Sequence, residues 1–150
     1  KTEFGLLGSY NKSLGISPFE RFYVGGDGLS GMGYVFDGRE LISLRGYNNN
    51  SVSSPFGSSL YTKYTTELRY AISLNPGSTV YVLTFAEAGN AWDDAKVFDP
   101  FSVKRSAGFG VRIMLPMVGM MGLDYGWGLD EVVKPDANGG QFHFSIGQQF

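Results

Sequence analysis

Few residues in this chain could do chemistry. Among 150 residues there is one histidine, His143, and no cysteine. A serine hydrolase needs a base beside its nucleophile and a third group to orient that base. His143 is the sole candidate base, and no local sequence marks a nucleophilic serine. One histidine makes no zinc cluster. Without cysteine there is no thiolate ligand, thiol chemistry or disulfide framework. Gly26-Asp27-Gly28-Leu29-Ser30-Gly31 fits the spacing G-x-G-x-x-G. That spacing binds a dinucleotide only where it follows a strand and opens a helix. Here it runs into Met32-Gly33-Tyr34-Val35-Phe36, which is no helix start, so it is read as loop. The chain is therefore expected not to be an enzyme and to take no cofactor and no metal. Its net charge of -2 gives no basic footprint for nucleic acid. What remains is a set of opposite charges, Arg45, Glu67 and Glu87. By spacing alone Glu67 pairs with Lys63 or Arg69, and Arg45 is a solvated loop residue.

The elements that would position these groups are strands. Charged residues make up 17% of the chain, against 22 Gly, 12 Phe and 9 Tyr. That balance favours β structure with tight turns. Period-two alternation marks six candidate strands: Thr2 to Asn11, Thr62 to Leu74, Thr79 to Ala88, Ser106 to Leu115, Met117 to Leu129, and the terminal strand Gln141 to Phe150. In the second, Tyr64, Leu68, Tyr70, Ile72 and Leu74 oppose Lys63, Thr65, Glu67, Arg69 and Ser73. In the last, Phe142, Phe144, Ile146 and Phe150 oppose Gln141, His143, Ser145, Gly147 and Gln149. The polar faces carry glycine and scattered charge, which suits a wet interior; His143 is read there as a polar filler.

Most of these strands are long enough to cross a bilayer when tilted. The best apolar run, Ile113 to Leu123, is 11 residues long and holds Pro116, whereas a helix needs about 20 to cross. The links alternate in length. Asn75-Pro76-Gly77-Ser78 and the segment near Pro116 are tight turns. About 12–61, Gly89 to Arg105, and Asp130 to Gly140 are long loops. Outer-membrane barrels have short periplasmic turns and long outer loops. Aromatics near strand ends (Tyr10, Tyr61, Trp92, Trp127, Phe142, Phe150) read as interfacial girdles. A soluble barrel also alternates, but its apolar face points inward, where tyrosine and tryptophan need buried partners. The fold expected is all-β, an antiparallel transmembrane β-barrel. Six strands cannot close one, since the smallest in bacteria have about eight. The chain is thus read as the C-terminal six strands of a larger barrel, with 16 the expected strand number. It opens on Lys1 without a signal peptide, so it is expected to be processed or a piece of a longer protein.

The long loop reads Pro18-Phe19-Glu20-Arg21-Phe22-Tyr23-Val24-Gly25-Gly26, then a Gly-rich stretch, then Leu44-Arg45-Gly46-Tyr47. The third strand ends in Phe85-Ala86-Glu87-Ala88-Gly89-Asn90-Ala91-Trp92, and the chain closes on an alternating strand with a terminal aromatic. Together these resemble BamA-type outer-membrane assembly proteins: a long sixth loop with a GG element and a hydrophobic-Arg-Gly-aromatic tetrad, an acidic-x-Gly-x-x-Trp strand, and a C-terminal sorting strand. The resemblance covers essentially the whole chain. It implies that the loop folds into the barrel and that Arg45 meets Glu67 and Glu87 as a clamp. The tetrad opens with Leu44 and ends in Tyr47, where the family often has Val and Phe, and Glu87 stands where Asp is common. The resemblance also implies a lateral gate along the last strand (Phe142, Phe144, Ile146, Phe150) with a kink at Gly147; by residue type alone, Gly147 could equally serve to leave interior room. Implied partners are unfolded outer-membrane barrel clients, accessory assembly lipoproteins and the lipid bilayer. POTRA domains would lie upstream, none within these residues. Two other functions stay open: a secretion pore of the same superfamily, and a passive porin.

Overall fold

A computed structural model of the chain describes residues 1–10, 15–27, 39–75, 78–117, 119–132 and 139–147. Asn11, residues 28–38 with most of the G-x-G-x-x-G stretch, Pro76, Gly77, Val118 and the terminal Phe150 lie outside them. Eight strands are described: β1 (Thr2–Leu6), β2 (Phe22–Val24), β3 (Glu40–Ile42), β4 (Leu60–Asn75), β5 (Ser78–Trp92), β6 (Lys104–Leu115), β7 (Gly119–Gly128) and β8 (Gly140–Ile146). Six form one antiparallel sheet in the order β1-β4-β5-β6-β7-β8. The chain is all-β and antiparallel, as the alternation predicts. β2 and β3 form a separate parallel pair inside the long loop.

Burial is inverted relative to a soluble sheet. On the face that the loop covers, Lys63, Thr65, Glu87, Ser106, Arg112, Asp124, His143 and Ser145 are all buried. On the opposite, outer face, Leu68, Tyr70, Phe109, Leu123, Phe142, Phe144 and Ile146 are exposed, Leu68 by 75%. Water would not tolerate such a row of apolar side chains, whereas hydrocarbon favours it. Among the described residues no helix is long and apolar enough to cross a membrane.

Several strand limits differ from the pattern-based ones. β1 stops at Leu6, not Asn11, because its ladder partner β4 begins at Leu60. Past Leu7 N–H, which bonds the Ser59 carbonyl, no paired strand continues alongside among the described residues. β4 and β5 run longer than expected, since each keeps its register to Leu60 opposite Trp92. Two expected girdle residues are not free in lipid. Tyr61 shares the phase of Lys63 and Thr65, so it points under the loop and stacks edge-on against Phe22 at 4.6 Å. Trp92 lies on the outer face but is covered by Phe98, 5.0 Å away. Trp127 and Phe142 do face outward, flanking Tyr125 at 4.7 and 4.6 Å.

The loop brings its own apolar core. Phe22, Val24, Ile42, Leu44, Tyr47 and Tyr61 pack together, with Leu7, Val52, Ala91 and Val132 around them. A long loop without such a core would lose too much chain entropy to stay in one place.

Candidate functional site

The GG element and the tetrad meet. Gly26 and Leu44 exchange main-chain hydrogen bonds of 3.1 and 3.0 Å, and Gly25 N–H donates to the Ile42 carbonyl. This bridge delivers Arg45 to the sheet. Gly46 then passes against the ends of β6 and β7 with a φ of 87°. A Cβ there would stand 2.8 Å from the Trp127 carbonyl carbon and 2.9 Å from Gly128 N, so both the backbone sign and the space demand glycine. Gly126 and Gly128 clear the matching room on β7.

Arg45 is fully buried against three carboxylates on three strands. Its Nη2 donates to Glu67 Oε1 on β4 at 2.7 Å and to Glu87 Oε1 on β5 at 2.7 Å. Nε donates to the same Glu87 oxygen at 3.1 Å, and Nη1 reaches Asp124 Oδ2 on β7 at 3.3 Å. The Arg45 main-chain N–H donates to Glu87 Oε2 at 2.9 Å. Glu87 therefore grips both the side chain and the backbone of the loop, a use its extra methylene allows. The guanidinium carbon lies 3.7 Å over the Phe85 ring, a favourable face for a cation. Burial by itself would lower the Arg45 pKa, but the charges of Glu87 and Asp124 and the hydrogen bonds to Glu87 and Glu67 outweigh it and hold the pKa above its ordinary value.

Further cations surround this centre. Arg69 donates to Glu67 Oε2 through Nε and Nη2 at 2.9 and 2.6 Å, so Glu67 pairs with Arg69 and with Arg45 at once. Arg112 holds both oxygens of Asp124 at 2.6 and 2.7 Å, the two-pronged geometry a guanidinium favours. Lys63 Nζ stands 3.6 Å from Glu87. Small neighbours make this possible. Glu87 sits between Thr65 and Ser106, and Asp124 between Gly110 and His143. A Cβ on Gly110 would collide with Asp124, and one on Gly122 with Arg112.

Both ends of the tetrad are fixed too. Leu44 is fully buried in the loop core. Gly46 N–H donates to His143 Nε2 on β8 at 2.7 Å. The expectation that His143 is a mere filler is thus corrected: the strand needs an acceptor where the loop amide arrives. Accepting at Nε2 places the ring proton on Nδ1, which lies 3.3 Å from Asp27 Oδ2 without hydrogen-bond alignment. Tyr47 O–H donates to the Arg105 carbonyl and accepts from Asp130 N–H; its burial raises its pKa. Asp130, just past β7, is held at about 2 by its hydrogen bonds from the Arg105 guanidinium.

The structure therefore brings Arg45, Glu67 and Glu87 together. Phe142, Phe144 and Ile146 lie on the exposed outer face of β8. Gly147 follows with a φ of 70°, and among the described residues a Cβ there would meet nothing within 4 Å. The positive φ is a backbone conformation that favours glycine. Spacing alone missed Asp124 and Arg112. Asp124 carried a signal, being the acidic residue on a polar face otherwise made of glycine in the fifth strand.

All of residues 1–150 match the model of the Omp85 superfamily domain. The chain belongs to the Omp85 superfamily. Within that superfamily it is 29% identical over 143 residues to outer membrane protein assembly factor BamA of Nitratidesulfovibrio vulgaris, an alignment covering 90% of this chain and 16% of that protein. This Omp85 chain therefore spans about a sixth of the length of the curated relative it matches.

Proposed function

We propose that residues 1–150 are the C-terminal six strands of a larger, 16-stranded transmembrane barrel in the bacterial outer membrane, with the long extracellular loop at about 12–61. The whole protein folds and inserts other β-barrels there. It works without cofactor and is not an enzyme: it acts by opening a seam at the last strand and offering its edge to client strands, with Gly147 as the bend. Its partners are unfolded barrel clients, accessory lipoproteins and lipid.

One observation carries this reading. A guanidinium wholly removed from water against Glu67, Glu87 and Asp124 ties a long loop to three strands. A passive channel has no need of such a tie, since burying charge is costly and is tolerated only where partners are complete. Tying the loop holds the barrel wall in one shape while its seam opens. Likeness to a BamA supports the assembly reading.

The test uses the full-length protein in its host. It is depleted, and either wild type or Arg45→Ala is supplied while several unrelated outer-membrane barrels are quantified. General loss on depletion, rescued by wild type and poorly by Arg45→Ala, is the expected outcome. Normal barrels with one missing exported protein would replace this reading with a secretion pore. Normal levels of everything would leave a passive channel.

A further inference from the structure

The three carboxylates around Arg45 do more than hold the loop. Each also has a cation of its own on the sheet. Glu67 has Arg69, two residues along β4, at 2.9 and 2.6 Å. Asp124 on β7 has Arg112 on β6, at 2.6 and 2.7 Å. Glu87 on β5 has Lys63 on β4, but here the amine stands 3.6 Å away, too far for a hydrogen bond. The register explains the placing. Lys63 faces Gly89 and Thr65 faces Glu87, so Lys63 and Glu87 are diagonal neighbours on one face. Long side chains can meet across that diagonal. Arg112 faces Gly122 and Asp124 faces Gly110, which is the same arrangement on β6 and β7.

What keeps Lys63 off Glu87 is the loop. Arg45 occupies Glu87 with Nε, Nη2 and its main-chain N–H. The Lys63 amine donates instead to Ser43 Oγ at 3.1 Å, two residues before Arg45. Lys63 is buried there, and Glu3, opposite it on β1, carries Lys1 Nζ at 3.2 Å. When the loop lifts, Ser43 and Arg45 leave together. Glu87 then loses its three donors from the loop and keeps the Thr65 hydroxyl at 3.5 Å. Lys63 loses its hydroxyl acceptor at the same moment. The two are left facing one another across a gap that a small rotation of a flexible four-carbon stem closes. Glu67 and Asp124 keep Arg69 and Arg112 throughout.

We propose that Lys63 is a stand-in for Arg45: a cation of the sheet that closes on Glu87 when the long loop lifts and gives way when it seats. The sheet is then charge-balanced with the loop in either position, Glu67, Glu87 and Asp124 against Arg69, Lys63 and Arg112. Arg45 is the added cation, and it fixes the loop without being needed to hold the strands together. The exchange lets the loop leave and return with no buried carboxylate standing alone, which is the costly state for such a group. It is a property of the clamp and stands apart from the assembly reading.

The test uses full-length protein in lipid vesicles. Lys63→Gln removes the charge and keeps a donor for Ser43. It is made in wild type, in Arg45→Ala and in Glu87→Gln. Amide hydrogen exchange of the β4 and β5 segments reads how often that part of the sheet opens. Proteolysis within residues 39–61 reads whether the loop is seated. In wild type, where Arg45 serves Glu87, Lys63→Gln should lower protection of the two strands less than about fivefold and leave the loop seated. In Arg45→Ala it should lower protection by about tenfold or more, because Glu87 has then lost both cations. In Glu87→Gln the effect should again be small, since the stand-in has no carboxylate to close on. An equal effect in wild type and in Arg45→Ala overturns the proposal, because Lys63 is then an independent support. A loop that opens in Lys63→Gln with Arg45 present overturns it too, because Lys63 is then part of the seat. Should Arg45→Ala not fold, Gly46→Ala lifts the loop by another route and carries the same comparison.

Discussion

Replacing Glu87 by Gln tests the clamp most sharply, because the two oxygens of Glu87 have different tasks. Oε1 accepts from Arg45 Nε and Nη2, while Oε2 accepts from the Arg45 main-chain N–H. A glutamine amide has one acceptor end and one donor end. Whichever way it turns, an NH₂ group faces an Arg45 donor in a site closed off from bulk solvent. Leaving a buried donor without a partner costs about 1–3 kcal/mol. Removing one member of a buried ion pair raises the total to about 3 kcal/mol or more. Glu67→Gln is the built-in contrast. Its amide oxygen can stay on Arg45 while its NH₂ group faces Arg69, whose side chain is 46% exposed and can swing into water. That change should cost about 1 kcal/mol. The difference of about 2 kcal/mol corresponds to roughly 30-fold in the ratio of open to seated loop. Limited proteolysis of the loop in the folded full-length barrel reads this ratio, with heat-induced mobility shift on a gel as the check on the barrel itself. If Glu67→Gln opens the loop as much as Glu87→Gln, the reasoning from the two oxygens of Glu87 is wrong.

Two further outcomes follow from the same geometry. Gly46→Ala adds a methyl within 3 Å of the β7 backbone and imposes an L side chain on a φ of 87°, so the loop should unseat at a cost of about 2 kcal/mol or more, read as new protease cleavage within residues 39–61. Asp130 is held at about 2 against an ordinary 3.8, so its contribution is complete above about pH 4 and is lost as pH falls toward 2. Pepsin cleavage near Tyr47, scaled at each pH to an unfolded control, should rise more over that interval in wild type than in Asp130→Asn, which has already lost the charge.

Much of the fold could be read from alternation, because in this chain the period of two separates an exposed apolar face from a polar face that the loop covers. Lys63, Thr65 and Glu67 fell on the polar face by count alone, and they are inward in the sheet. Tyr61 belongs to the same count; it was misread as a girdle residue because closeness to a strand end was allowed to outweigh its phase. The parallel pair β2 and β3 could not be found this way, since three residues carry no period. Nor could Asp124 and His143 be tied to Arg45 and Gly46, for their partners lie 79 and 97 residues away in sequence. Local pattern specifies which face a residue occupies. It does not specify which loop atom arrives there.

The clamp also has a consequence for how this sheet proves its own assembly. Its acceptors come from β4, β5 and β7, and the neighbouring amide finds its acceptor on β8. A slip of one residue in any of these strands turns its side chains to the other face. Glu67, Glu87 or Asp124 would then turn to the apolar outer face, and Arg45 would enter a pocket missing a counter-charge. The loop can seat only on a sheet whose register is right at four strands, and its contacts span long stretches of chain, so they close late. A seated loop therefore reports register: sheets zipped in register hide Arg45, and misregistered ones leave it open to proteolytic cleavage.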